Sequence, residues 1–189
     1  QIFIAKSARA LSIVVIFAMA LALVGIHATD GISGVLLSTP LVLLISYLSL
    51  MLFWLPRVEV SETEVLVKNV LRSYRVPIGA VARIDTRWNL TLFIEGGKKI
   101  SSWSATAPGR HASIFASRDQ GQHLPETTYL DGTVRPGDLI STDSGAAAAT
   151  IRRHWESRKQ EGGEVKTSWH YSQLTIFASL LVLNFLVLS

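Results

Sequence analysis

The chain has 189 residues, a mean hydropathy of +0.35, and only 17% charged residues. Soluble domains carry about 25% charged residues, so a wholly soluble fold does not describe the entire chain. Cys is absent, which excludes a disulfide framework, a Cys-ligated zinc site and thiol catalysis. The charges are unevenly placed. Lys6 and Arg9 are the only basic residues before residue 57, and none follows Lys166. Apolar ends therefore flank a polar middle. The first residue is Gln1 and the last apolar run reaches Leu188-Ser189, so further chain is expected beyond both ends.

A transmembrane helix needs about 20 mainly apolar residues to cross roughly 30 Å of hydrocarbon. No charged residue lies between Arg9 and Asp30, between Asp30 and Arg57, or after Lys166. Three spans are expected, near 10–28, 34–55 and 170–189. Lys6 and Arg9 before an apolar stretch also resemble a signal peptide. Ile26-His27-Ala28 is a poor cleavage site and a second apolar segment follows at once. A helical hairpin turning at Thr29-Asp30-Gly31 is the better reading. Ala18, Ala22 and Gly25 share one face of the first helix and suggest close helix packing there.

Orientation follows from Lys and Arg near the spans. The loop 27–34 has none, whereas Lys6, Arg9, Arg57, Arg152, Arg153, Arg158, Lys159 and Lys166 all fall on one side. The expected topology is a multi-pass protein of the cell membrane, with the N-terminus and polar middle cytoplasmic and the C-terminus outside. Trp54, Arg57, Trp169 and Tyr171 are then membrane-interface anchors, since amphipathic rings prefer that level. Asn184 is the one strongly polar side chain of the third span, placed either to hydrogen-bond a neighbouring helix or near the outer headgroups. No acidic or basic residue is embedded in a span, which argues against a transporter or proton relay.

The middle, 57–166, reads as one small domain. Strands are expected at 57–60, 64–68, 71–76, 81–86, 89–94 and 99–103, from alternation of apolar and polar residues. Glu95-Gly-Gly-Lys98 is a hairpin turn because glycine supplies positive φ. Residues 105–142 hold several Pro and Gly and read as a long loop, with a short strand near Thr127 to Leu130. A helix is expected over 143–160, capped by Asp143 or Ser144 and ended by Gly162-Gly163. Ala147 or Ala148, Ile151 and Trp155 form its apolar stripe, which packs on the sheet.

Two spans, a run of short strands and one amphipathic helix resemble the bacterial pleckstrin-homology (PH)-like membrane proteins, especially actinobacterial ones. The residues that carry the resemblance are Val58-Glu-Val-Ser-Glu-Thr-Glu-Val-Leu-Val-Lys-Asn69 and Arg75-Val-Pro-Ile-Gly-Ala-Val-Ala-Arg-Ile84, with Ile100-Ser-Ser-Trp103 and Gly145 to Trp155 after them. The loop 105–142 and the third span depart from that pattern. The resemblance implies a bent seven-stranded antiparallel sheet capped by a helix, and a binding or scaffolding role. The expected fold class is thus an α+β membrane protein. It comprises a helical hairpin (1–56), a cytoplasmic PH-like domain (57–166) and a third transmembrane helix (167–189).

No catalytic, cofactor or metal site is expected. His27, His111, His123, His154 and His170 are scattered, and His27 with Asp30 and His123 with Glu126 have no third ligand nearby. Gly96-Gly97-Lys98-Lys99 reads as a solvated hairpin tip rather than a phosphate cradle. Lys68, Arg72, Arg75, Arg83 and Arg87 are candidate contacts to lipid or a partner. Between 57 and 166, 16 basic against 13 acidic residues leave a modest +3, so general attraction to anionic lipid is the expectation. No nucleic-acid motif and no small-molecule site is present, and neither ligand is expected. The expected partners are membrane lipids and an integral membrane protein. The expected role is a non-enzymatic accessory subunit or scaffold in a larger bacterial membrane complex, such as a respiratory supercomplex. The alternative is an anionic-lipid-binding or envelope-stress-sensing module.

Overall fold

The computed structural model describes residues 1–106, 129–130, 133–134, 142–158 and 162–188. Most of the loop expected at 105–142, with His111 and His123, lies outside the described residues, as do the last residues of the helix expected to 160. The chain is α+β and divides into two units. One is Gln1–Ala5 with Pro56–Ser168, and the other is Lys6–Leu55 with Trp169–Ser189.

The second unit is helical. Helix α1 runs over Lys6–Ser49 and continues as a wide turn at Leu50–Trp54, where the Leu55 N–H donates to the Leu50 carbonyl at 3.0 Å. Lys6–Trp54 is long and apolar enough to cross a membrane. The helix is broken at Gly31, whose φ of +64° and ψ of −156° suit a residue without Cβ. The chain turns back there. The Arg9 guanidinium lies 4.9 Å from the centre of the Trp54 ring, and the Ser49 hydroxyl donates to Ser12 at 3.2 Å. The two arms are each about 35 Å long at 1.5 Å per residue. Ala18, Ala22 and Gly25 are exposed, so the two arms do not meet at the small-residue face. The arms meet through buried Ser12 and Ser49, whose small side chains and shared hydrogen bond permit close approach. Helix α3, Tyr171–Leu188, is tied to the second arm by the Tyr47 hydroxyl, which donates to the Gln173 carbonyl at 3.2 Å.

The first unit is built on antiparallel sheets. Strands β1 (Ile2–Phe3), β2 (Arg57–Val60), β3 (Glu64–Lys68), β4 (Arg72–Pro77), β5 (Val81–Asp85), β6 (Asn89–Ile94) and β7 (Lys99–Thr106) occur in that order. Two-residue strands β8 (Tyr129–Leu130) and β9 (Thr133–Val134) pair with each other. Helix α2 is Asp143–Arg158, and β10 is Lys166–Trp169. One sheet has the order β1-β2-β3-β4-β10 and a second has the order β5-β6-β7. Residues 1–5, grouped by the sequence with the helices, therefore supply an edge strand of the β unit. β10 is a second strand that the sequence did not show.

Alternation sends one side of each sheet inward. Val58, Val60, Val65, Val67 and Val76 of the first sheet meet Leu90, Leu92, Ile94 and Ile100 of the second in one core. Ala147, Ala148 and Ile151 of α2 close it, and all three are fully buried. Trp155 packs at the margin, where its indole N–H donates to the Val81 carbonyl at 2.6 Å. Thr142 caps α2, its hydroxyl accepting from the Gly145 N–H at 3.0 Å, one position before the expected cap. Gly163 is held close to Pro77, and a Cβ there would come within 2.7 Å of the ring.

Asn69, in the turn from β3 to β4, joins the two sheets. Its amide nitrogen donates to the Ser101 carbonyl and its oxygen accepts from the Trp103 N–H, both at 2.8 Å. The side chain thus replaces a neighbouring strand for two groups of β7. Asn69→Ala removes both bonds, one part-buried and one open to water, and is expected to destabilise the chain by about 1 kcal/mol. Thermal unfolding of the full chain in mild detergent measures it, and an unchanged midpoint would refute this role.

Candidate functional site

The two sheets and the turn after β5 carry the basic residues singled out in the sequence. On the first sheet, cross-strand pairing sets Arg57 opposite Lys68, Lys68 opposite Ser73, and Leu66 opposite Arg75. Arg57 pairs with Glu59, and Arg75 lies 3.6 Å from Glu64. Gln1, Ile2, Glu59, Leu66 and Arg75 line a shallow cleft there. Burial lowers the Lys68 ammonium below the ordinary lysine pKa, the Arg57 charge lowers it further, and Glu59 partly opposes both. Arg72 stacks at 5.5 Å on Tyr74, which Lys98 approaches from the β6–β7 turn at the same distance.

On the second sheet, Arg83, Phe93 and Lys99 stand in one cross-strand row. The Arg83 guanidinium lies 4.1 Å from the Phe93 ring centre and the Lys99 ammonium 5.7 Å. Arg87 follows β5, and its backbone N–H donates to the Asp85 carboxylate at 3.0 Å. The inner faces of both sheets fill the core, so these outward faces point apart. The five candidate residues therefore do not converge. Lys68 and Arg75 belong to one outward face, Arg72 stands with Tyr74 on the opposite side of that sheet, Arg83 belongs to the second sheet, and Arg87 lies in the turn after β5.

In the helical unit, Trp54 ends the second arm and carries Arg9 on its ring. Tyr171 opens α3 and is 71% exposed, while Trp169 ends β10 and is also exposed. Asn184 is only 8% exposed, and its amide donates to the Leu180 carbonyl of its own helix at 2.9 Å. Among the described residues, no group of three or more His, Cys, Asp or Glu is placed to hold a metal. Two residues that the sequence reading did not single out matter here. Asn69 joins the sheets, and Arg9, read there for orientation alone, makes a specific contact. Helical spacing would have put Arg9 on the stripe with Ile13, but its meeting with Trp54 depends on the Gly31 reversal.

No family model, curated protein or solved structure matches this chain.

The pairing of Lys68 with Arg57 sets two like charges directly opposite, which weakens a sheet. Lys68→Gln is expected to stabilise the chain by about a few tenths of a kcal/mol, since solvent screens the exposed part of the side chain. The sign with pH follows from the lowered value. At alkaline pH, between the folded and the ordinary lysine pKa, the unfolded chain binds more protons, so wild-type stability rises with pH. The advantage of Lys68→Gln should therefore shrink toward high pH. Midpoints measured from neutral to alkaline pH check this, and a gap that widens would refute it.

Proposed function

We propose that this chain is a non-enzymatic scaffold or accessory subunit of a larger bacterial membrane complex. Its helical unit lies in the bilayer and its β unit serves as a PH-like module. The observation that carries the reading is the connection between the two kinds of structure. The chain passes from β1 to α1 through Ile4 and Ala5 alone, from the wide turn to β2 through Leu55 and Pro56, and from β10 to α3 through His170. Three such short connections suit a fixed subunit better than a module recruited on a flexible tether.

Membrane placement is supported by the exposed apolar side chains of the helices, among them Phe17, Val24, Leu36, Phe185 and Leu186. The two arms of α1 and helix α3 would give three passes. The Lys and Arg distribution would put the β unit and N-terminus in the cytoplasm and the C-terminus outside. The PH-like reading draws support from two antiparallel sheets closed by one helix after the last long strand. A respiratory supercomplex is one setting that suits a small accessory chain of this kind.

The competing reading is a β unit that binds anionic lipid or senses envelope stress. It gains little from basic residues split between two faces and partly paired with Glu59 and Glu64. Purification from native membranes in mild detergent, through a tag on this chain, tests the proposal. A stoichiometric integral membrane protein is expected to co-purify. Recovery of the chain alone would overturn the subunit reading.

A further inference from the structure

The helical unit carries an apolar groove. Ile13, Ile16, Phe17 and Ala20 of the first arm, with Leu50 and Trp54 of the second, line an open apolar cavity of about 420 Å³. Leu50 and Trp54 bound the wide turn, and turns of this i→i+5 kind recur at functional sites. Residues 9, 13, 16 and 20 follow the helical period, so Arg9 stands at the end of the same stripe. Its guanidinium stacks on Trp54, the ring that also lines the groove. Its Nε is buried and has no hydrogen-bond partner.

A buried guanidinium N–H without an acceptor is costly, so the site favours an incoming anion. The helical unit has no carboxylate for that place. Its single acidic residue is Asp30, beside the Gly31 break at the far end of the arm, and the first turn of α1 has none. Lys6, one turn before Arg9, adds a second positive charge. Cation and groove together describe a ligand with an anionic head and a hydrocarbon tail.

We propose that this groove binds an anionic glycerophospholipid. Its phosphate accepts from Arg9 with Lys6 nearby, and one acyl chain lies along the stripe from Ile13 to Ala20. The proposal rests on the membrane placement of the helical unit. A guanidinium held against an aromatic ring still presents an edge that suits phosphate oxygens. A soluble phosphate would leave the apolar groove empty. A second copy of this chain would bring cations of the same sign to the Arg9 end.

The test is native mass spectrometry of the full chain extracted from membranes in mild detergent, with bound lipid identified after release. Wild type is expected to retain one anionic phospholipid per chain. Arg9→Gln should lower occupancy about tenfold, the worth of a charge-assisted hydrogen bond. Ala20→Phe fills the groove with an apolar side chain, keeps Arg9 and does not impair insertion. It should lower occupancy to a similar extent. A wild-type chain free of lipid, lipid retained by both variants, or zwitterionic lipid held regardless of Arg9 would overturn the proposal. Loss in only one variant would also overturn it, because head and tail contacts are both required. A chain recovered from the soluble fraction would instead overturn the membrane placement on which the proposal rests.

Discussion

The reversal at Gly31 is the constraint on which both units depend. In the helical unit it brings Arg9 to Trp54 and Ser12 to Ser49. In the β unit, Phe3 pairs with Val58 and Ile2 with Glu59. Each of these pairs lies equally far on either side of Gly31 to within about a residue or two. A β-hairpin has in effect been opened at its turn and a helical hairpin inserted there. The β1–β2 ladder forms only if the two arms are matched in length and the helix stops at their midpoint. A left-handed φ at that midpoint, available to glycine without a Cβ clash, supplies the stop.

The two units then treat the same kinds of side chain in opposite ways. Val58, Val65 and Leu90 are fully buried in the sheet core, whereas Phe17 is 63% and Val24 66% exposed on the helical hairpin. Burying a Val, Leu or Phe side chain is worth roughly 1.5–3 kcal/mol in water, so a water-facing helix with so many left out would be unfavourable. The helical arms are apolar on nearly every side and have no opposite polar face. By length and composition such a helix is able to cross a membrane. The short connections join these two regimes without an intervening linker.

Much of the β unit is legible in the sequence because its signals are local. Alternation gives strands β2 to β7, the glycine pair gives the turn at Gly96 and Gly97, and helical spacing gives the stripe from Ala147 to Trp155. What escapes is set by pairing at a distance. β1 has two residues, and all four residues of β10 are exposed, so neither carries an alternating pattern. Their strand geometry comes from the edges of β2 and β4. Asn69 looks like an ordinary turn residue until β7 is placed beside it. The seam between the two arms runs through Ser12 and Ser49 and not through the small-residue face at Ala18, Ala22 and Gly25.

Charge is the property that a sequence reports least completely, because it gives the sign without the partner. Lys68, Arg72, Arg75, Arg83 and Arg87 look like one basic surface along the chain. The fold instead divides them between two sheets, strand parity turns Arg72 to the side opposite Lys68 and Arg75, and Glu59 and Glu64 neutralise part of the first. Arg9 shows the converse. One residue among eighteen basic ones, it sits in a unit whose single carboxylate lies at the other end of the arm. Its aromatic neighbour and its unpaired Nε follow from helix geometry and from the reversal at Gly31 together. The bend that closes the sheet edge is therefore also what sets a cation at the mouth of an apolar groove.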